Sequence, residues 1–368
     1  MNVQVRPRTA GSATTRLAIA DCDIHPAQRT PHDLDPWLPK QWQEYAAQFG
    51  TIRRLGMHQG PAYPKSQPNA SRRDALPPEG GRQGSSPSFM AAQHLDPNTV
   101  VLGILNPLNT GQGVSNPDFS AALCRAVNHW QEEVWLAADD RLRASIVVPY
   151  EFADLAAAEI DYWAGRRGFA QVLLLSRTAE PLGNRRYWKM FRAAELAGLP
   201  VAVHAFGYGG SPITSSGWPS FYIEEMTGHA QSCQAGLTSM LVEGVFERHP
   251  ALRVVMVEAG FAWVPSLAWR LDKVWKTLHA ETPHLRRAPS ETMRQQVWWT
   301  TQPMEEPDTR EHLLDTIEWM GLDRLLFATD YPHWDFDDPA QALPLPLSDA
   351  QRRQFFLGNA RALYGEAA

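Results

Sequence analysis

The chain has 368 residues, 44% of them hydrophobic, with a formal net charge of -6 and a pI near 6.1. That length can bury a large core, and the acidic balance argues against a nucleic-acid or anionic-membrane surface. Cys22, Cys124 and Cys233 are odd in number and far apart, and no apolar run reaches the roughly 18–20 residues of a membrane helix, so a soluble, cytoplasmic protein is expected.

Residues 1–16 read as a polar, flexible tail, and despite Arg6 and Arg8 they hold no apolar stretch of a secretory signal. Beyond them, runs rich in Val, Leu and Ile fall at 17–25, 99–105, 143–149, 170–175, 200–206, 252–258, 296–301 and 324–330. Their continuous apolar character is that of strands buried on both faces. Amphipathic stretches at 118–138, 151–165, 187–198, 221–248, 262–278, 308–320 and 348–363 read as helices between and after them. This alternation predicts a (β/α)8 barrel, one domain over 17–368. An open doubly wound sheet is the rival, but no GxGxxG follows any strand. One connection breaks the rhythm: residues 26–98, dense in Pro, Gly, Gln and Arg, lie between the first and second strands. They leave the carboxyl end of a barrel strand and so begin at the mouth of an active site. A lid over substrate is the reading, and a solvated or oligomer-contact arm the alternative.

Chemistry gathers at the strand ends. Asp23 and His25 close the first run, His204 the fifth, Glu258 the sixth and Asp330 the eighth. Residues i and i+2 of a strand share a face, so Asp23 and His25 can grip one object. Imidazoles and carboxylates converging there are what a divalent metal requires. Asp330 is placed both to ligate an ion and to take a proton from its water. His333, in the loop that follows, reads as an orienting or turn-stabilising residue. Trp299 and Trp334 lie near strand ends, where they could pack on an aromatic substrate.

The segments DCDIHP, VAVHA, VEAGF, FATDYPHWD and GNARALYG together resemble the amidohydrolase superfamily. The likeness is to the branch that groups aminocarboxymuconate-semialdehyde and γ-resorcylate decarboxylases with hydrolases and hydratases. It spans 17–365 and implies a distorted TIM barrel with one divalent metal, Zn2+ or Mn2+, at its carboxyl face. It also implies that Asp23, His25, His204 and Asp330 are ligands, with Asp21 in an orienting role and homodimers common. No Lys ends the fourth run QVLLLSR, which implies a mononuclear site. Glu258 departs from the pattern, standing where many relatives carry His. It enters the metal shell, acts as an acid or base, or merely pairs with Arg270.

These residues point to a metal-dependent hydrolase that opens an amide, lactone or ester-like bond of a small cyclic or aromatic molecule. Asp330, Glu258 and His204 carry the chemistry in that reading. The alternatives are nonoxidative decarboxylation of an aromatic or unsaturated acid on the same metal, and a non-catalytic ligand-binding barrel.

Overall fold

The computed structural model describes residues 17–50, 70–207, 212–343 and 345–365; the expected tail 1–16 and part of the insertion, 51–69, lie outside these. Eight strands form one parallel sheet in sequence order: β1 Ile19–Ile24, β2 Val100–Leu105, β3 Leu142–Val147, β4 Phe169–Leu175, β5 Val201–His204, β6 Val254–Val257, β7 Val297–Thr300 and β8 Leu325–Leu326. All eight expected runs are strands, because each is long enough in Val, Leu, Ile and Ala to be buried against neighbours on both sides. The ring closes through backbone bonds from β1 to the chain beyond β8: Cys22 N–H to Phe327 O at 2.9 Å, and Asp330 N–H to Asp23 O at 3.1 Å. The expected helices surround it as Pro117–Trp130, Ala153–Trp163, Trp188–Leu196, Tyr222–Glu243, Val264–Thr277 and Arg310–Met320. A distorted TIM barrel is the result.

Three expectations need correction. The helix expected over 118–138 ends at Trp130 and continues as a wider turn to Leu136. β8 is two residues long rather than seven, since the chain from Phe327 turns away to close the barrel. A helix over Pro289–Gln296, which the sequence reading left out, precedes β7.

The described part of the insertion is ordered. Lys40–Phe49 is a helix whose Trp42, Tyr45, Ala46 and Phe49 recur at the helical spacing. Trp42 stacks on Phe119 of the helix Pro117–Trp130, ring centroids 5.4 Å apart, within a small cluster separate from the main core. The insertion also crosses the barrel mouth. Gly84, at φ 75, lies so close over the His25 carbonyl that a Cβ there would collide with it. Residues 70–72 then run beside the loop after β8: Arg72 N–H donates to Pro332 O at 2.8 Å, and Trp334 N–H to Ala70 O at 2.9 Å.

Candidate metal centre

Parity along β1 sends Asp21, Asp23 and the residue after the strand, His25, to one side, and all three are buried. His25 Nδ1 lies 2.7 Å from the carbonyl of Asn106, just beyond β2. A carbonyl only accepts, so Nδ1 carries the proton and, in the neutral ring, the Nε2 lone pair faces the barrel axis. The Asn106 amide also donates to Asp23 Oδ1 at 2.9 Å, fixing that carboxylate. Around the axis, His25 Nε2 is 3.3 Å from Asp23 Oδ1 and 2.7 Å from Asp330 Oδ1. His204 Nε2, at the end of β5, is 3.5 Å from Asp23 Oδ2 and 3.0 Å from Glu258 Oε2.

Asp23 Oδ2, His25 Nε2 and His204 Nε2 are buried and make no hydrogen bond, although they face one another. Donor atoms roughly 3.0–3.5 Å apart are what ligands about 2.1 Å from a shared ion present. The ligating atoms of Asp23, His25, His204 and Glu258 fall in one cluster, and those of His25, Asp330 and His333 in an overlapping one. The residues fit a single divalent metal.

The backbone is bent to serve this. Glu258 and Asp330 have φ of 56° and 62°, a left-handed conformation that non-glycine residues seldom adopt. Glu258 N–H donates to Thr300 Oγ1 at 3.0 Å, holding the turn. Gly260, two residues on, has a φ of 62°, where glycine is favoured, and the Glu305 carboxylate lies beside it. That carboxylate accepts from the N–H groups of Phe261 and Ala262, both at 3.1 Å, and anchors the start of the next helix.

Burial and charge set the protonation of the metal-free cluster. Burial pulls the His204 imidazole down, but Asp23 and Glu258 outweigh it and leave it raised to about 9. His25 is likewise raised, burial being overcome by Asp23 and Asp330. The Asp330 carboxyl is pushed up to about 8 by burial and then by the charge of Glu258. Burial and the neighbouring His25 lower His333 to about 3. His333 Nδ1 is 2.6 Å from Asp330 Oδ1. These directions agree on a proton that resides on Asp330 and is shared toward His333.

Other expected residues fall variously. Asp21 Oδ1 accepts from Thr329 N–H at 2.9 Å and Asp23 N–H at 3.2 Å, and its Oδ2 meets His94 Nε2 at 2.7 Å, so it ties β1 to the closing segment. His333 stacks on His25, centroids 4.3 Å apart. Trp299 is 1% exposed within the core, whereas Trp334 is 41% exposed at the mouth. Arg270 is not in the site. It is exposed on the outer helix Val264–Thr277, and the buried Glu258 faces His204 and His229 instead, since φ 56 turns its side chain inward.

Four contributors escaped the sequence reading: Asn106, His94, His229 and Gln302. Asn106 had a signal, a polar residue closing the apolar run VVLGIL. His229 Nδ1, 3.8 Å from Glu258 Oε1, comes from mid-helix, where nothing local marks it. Gln302 Nε2 donates to Asp330 Oδ2 at 3.2 Å from beyond β7.

A sequence profile of the amidohydrolase family matches residues 20–365. The chain belongs to that family. Among curated relatives, γ-resorcylate decarboxylase of Polaromonas sp. (strain JS666 / ATCC BAA-500) is 23% identical over 276 residues, covering 72% of this chain and 82% of the relative. Solved structures that share the fold include two decarboxylases. The 5-carboxyvanillate decarboxylase of Novosphingobium aromaticivorans, with bound manganese, superposes at a TM-score of 0.70 with 18% identity, covering 95% of this chain and 97% of the other. The dihydroxybenzoic acid decarboxylase of Polaromonas sp. JS666, with manganese and 2-nitroresorcinol, gives 0.65, 18%, 95% and 97%. Hydrolysis, the reading favoured from sequence, is less well backed by these relatives than the decarboxylase alternative. No described helix is long and apolar enough to cross a membrane.

Proposed function

We propose that this amidohydrolase-family enzyme is a divalent-metal-dependent, nonoxidative decarboxylase of a small aromatic or unsaturated carboxylic acid. The observation that carries the reading is the buried constellation of Asp23, His25, His204, Glu258 and Asp330 at the barrel's carboxyl face. The names of the curated relatives support it.

Asp23, His25, His204 and Asp330 would hold the ion, Zn2+ or Mn2+, with Glu258 beside them or in the same shell. There the ion would supply a Lewis acid that fixes substrate oxygens and offsets the carboxylates' charge. The residues supply the rest. In this reading Asp330, whose metal-free proton the ion displaces, takes up a proton from solvent when substrate is bound, and His333 keeps that carboxyl oriented through the 2.6 Å contact. Delivered to the carbon bearing the substrate's carboxylate, this proton makes the new C–H bond. The C–C bond then breaks, its electron pair returns to the ring and neutral CO2 leaves, so no oxidant is consumed. Trp334 offers an aromatic face at the mouth. The insertion 26–98 is read as the cover that excludes water during this step, since among its described residues Gly84 lies over His25 and Ser71 runs beside His333.

The test is a panel of hydroxybenzoates offered to manganese-loaded protein in D2O. CO2 release with deuterium on the vacated carbon supports the reading. Cleavage of an ester or lactone with 18O from water in the product, and no CO2 from any acid, would overturn it in favour of hydrolysis.

A further inference from the structure

The C-terminal motif GNARALYG forms the helix Asn359–Tyr364, which lies under the floor of the barrel at the strands' amino ends. Asn359 Nδ2 donates to Leu322 O at 2.7 Å and to Leu325 O, at the start of β8, at 2.8 Å. Arg253, just before β6, donates from Nη1 to Leu363 O at 2.7 Å. So anchored, the helix sends the Tyr364 hydroxyl into the barrel, where it donates to Gln171 Oε1 of β4 at 2.9 Å. Gln171 Nε2 donates in turn to Asn106 Oδ1 and Ser145 Oγ, both at 2.9 Å, and the Ser145 hydroxyl donates to the same Asn106 Oδ1 at 2.8 Å. Asn106 Nδ2 ends the chain on Asp23 Oδ1 at 2.9 Å. Gln171, Ser145, Asn106 and Asp23 are all fully buried.

The polarity of this chain is fixed from the metal end. An ionised carboxylate only accepts, so Asn106 must turn its NH2 toward Asp23 and its Oδ1 toward Gln171. Gln171 must then present its own NH2 to Asn106, which leaves its Oε1 for a donor at the floor. The Tyr364 phenol is that donor: burial, backed by the charges of Cys22 and Asp23, pushes its pKa well up, so it keeps its proton. The dependence also runs upward. Without the hydroxyl, Gln171 Oε1 loses the contact that tells the two ends of that amide apart. A half-turn of Gln171 would set oxygen against oxygen at Asn106, and a matching turn of Asn106 would set oxygen against the Asp23 carboxylate. Asp23 Oδ1 would lose its tie, and with it the orientation that leaves Oδ2, which makes no hydrogen bond, for the ion.

We propose that Tyr364 is a positioning residue for the metal centre, setting the orientation of Asp23 through Gln171 and Asn106 from the opposite end of the barrel. The inference needs an ion at the donor cluster and is independent of which reaction that ion serves.

The test is a coupling measurement on Mn2+ alone, titrated into metal-free protein against a fluorescent chelator. Tyr364→Phe deletes one hydroxyl and should leave the fold intact. It should weaken Mn2+ binding by about three- to tenfold, less than the roughly 10–100-fold of a partner that touches the ligand itself. In an Asn106→Ala background the same change should lower affinity no further, because the chain is already cut. Gln171→Met, close in volume, gives a second background. It should weaken Mn2+ binding at least as much as Tyr364→Phe does, and Tyr364→Phe should again be silent on top of it. Mn2+ affinity unchanged by Tyr364→Phe, or the same loss in all three backgrounds, would overturn the assignment, since a floor that merely loosens lowers affinity whatever stands at Asn106. Either of those results leaves the decarboxylase reading in place.

Discussion

His25 and Asn106 are locked together from two strands: the imidazole Nδ1 of one lies 2.7 Å from the backbone carbonyl of the other. The Asn106 side chain reaches in parallel to Asp23 Oδ1 at 2.9 Å. One residue thus sets both the tautomer of a histidine and the orientation of a carboxylate. It is in turn held by Ser145 Oγ at 2.8 Å and Gln171 Nε2 at 2.9 Å, both donating to its Oδ1.

Asn106→Ala should keep the His25 tautomer, because the carbonyl is retained, but free Asp23. Metal affinity should fall by about 10–100-fold, the usual cost of removing an orienting partner. Competition with a chromogenic chelator reads this directly. Affinity equal to wild type would show that Asp23 needs no such support.

His204→Ala should strip the ion and leave the barrel folded, since packing among the strands supplies most of the stability. Elemental analysis should drop from about one ion per chain toward none, with a cooperative melt preserved by circular dichroism. Two tightly held ions per chain in the wild type would sink the mononuclear assignment.

Glu258→Gln distinguishes ligand from acid or base. Its Oε2 sits 3.0 Å from His204 Nε2 within the donor cluster, so the expected outcome is weaker metal retention together with lost turnover. If the metal stays and only the rate falls, by about 10²–10⁴, Glu258 acts on protons instead.

Metal uptake should depend on pH in a stated direction. In the metal-free protein His204 is raised to about 9 and Asp330 to about 8, so both hold protons at neutrality that an ion must displace. Affinity should therefore rise as pH goes from 6 toward 9, with protons released on binding. Calorimetry in buffers of different ionisation enthalpy counts them, and a pH-independent affinity with no proton release contradicts the scheme.

Much of this was open to inspection in the chain itself. The eight apolar runs announce a barrel because strands buried on both faces cannot alternate with polar residues, and parity alone places Asp23 beside His25. The helix Lys40–Phe49 was equally legible at its 3.6-residue spacing, but the Pro and Gly density around it masked the pattern. Tertiary structure decided the rest. β8 gives up most of its expected length because Phe327 and Asp330 must turn to meet β1. Glu258 faces His204 rather than Arg270 because a left-handed residue, held by Thr300 from the next strand, redirects its side chain. Asn106, His229 and Gln302 reach the cluster from positions far apart in the chain, and only closure of the ring brings them within hydrogen-bonding or charge range. The residue types that end a strand are a local property of sequence, whereas the partners that orient them exist only once distant strands lie side by side.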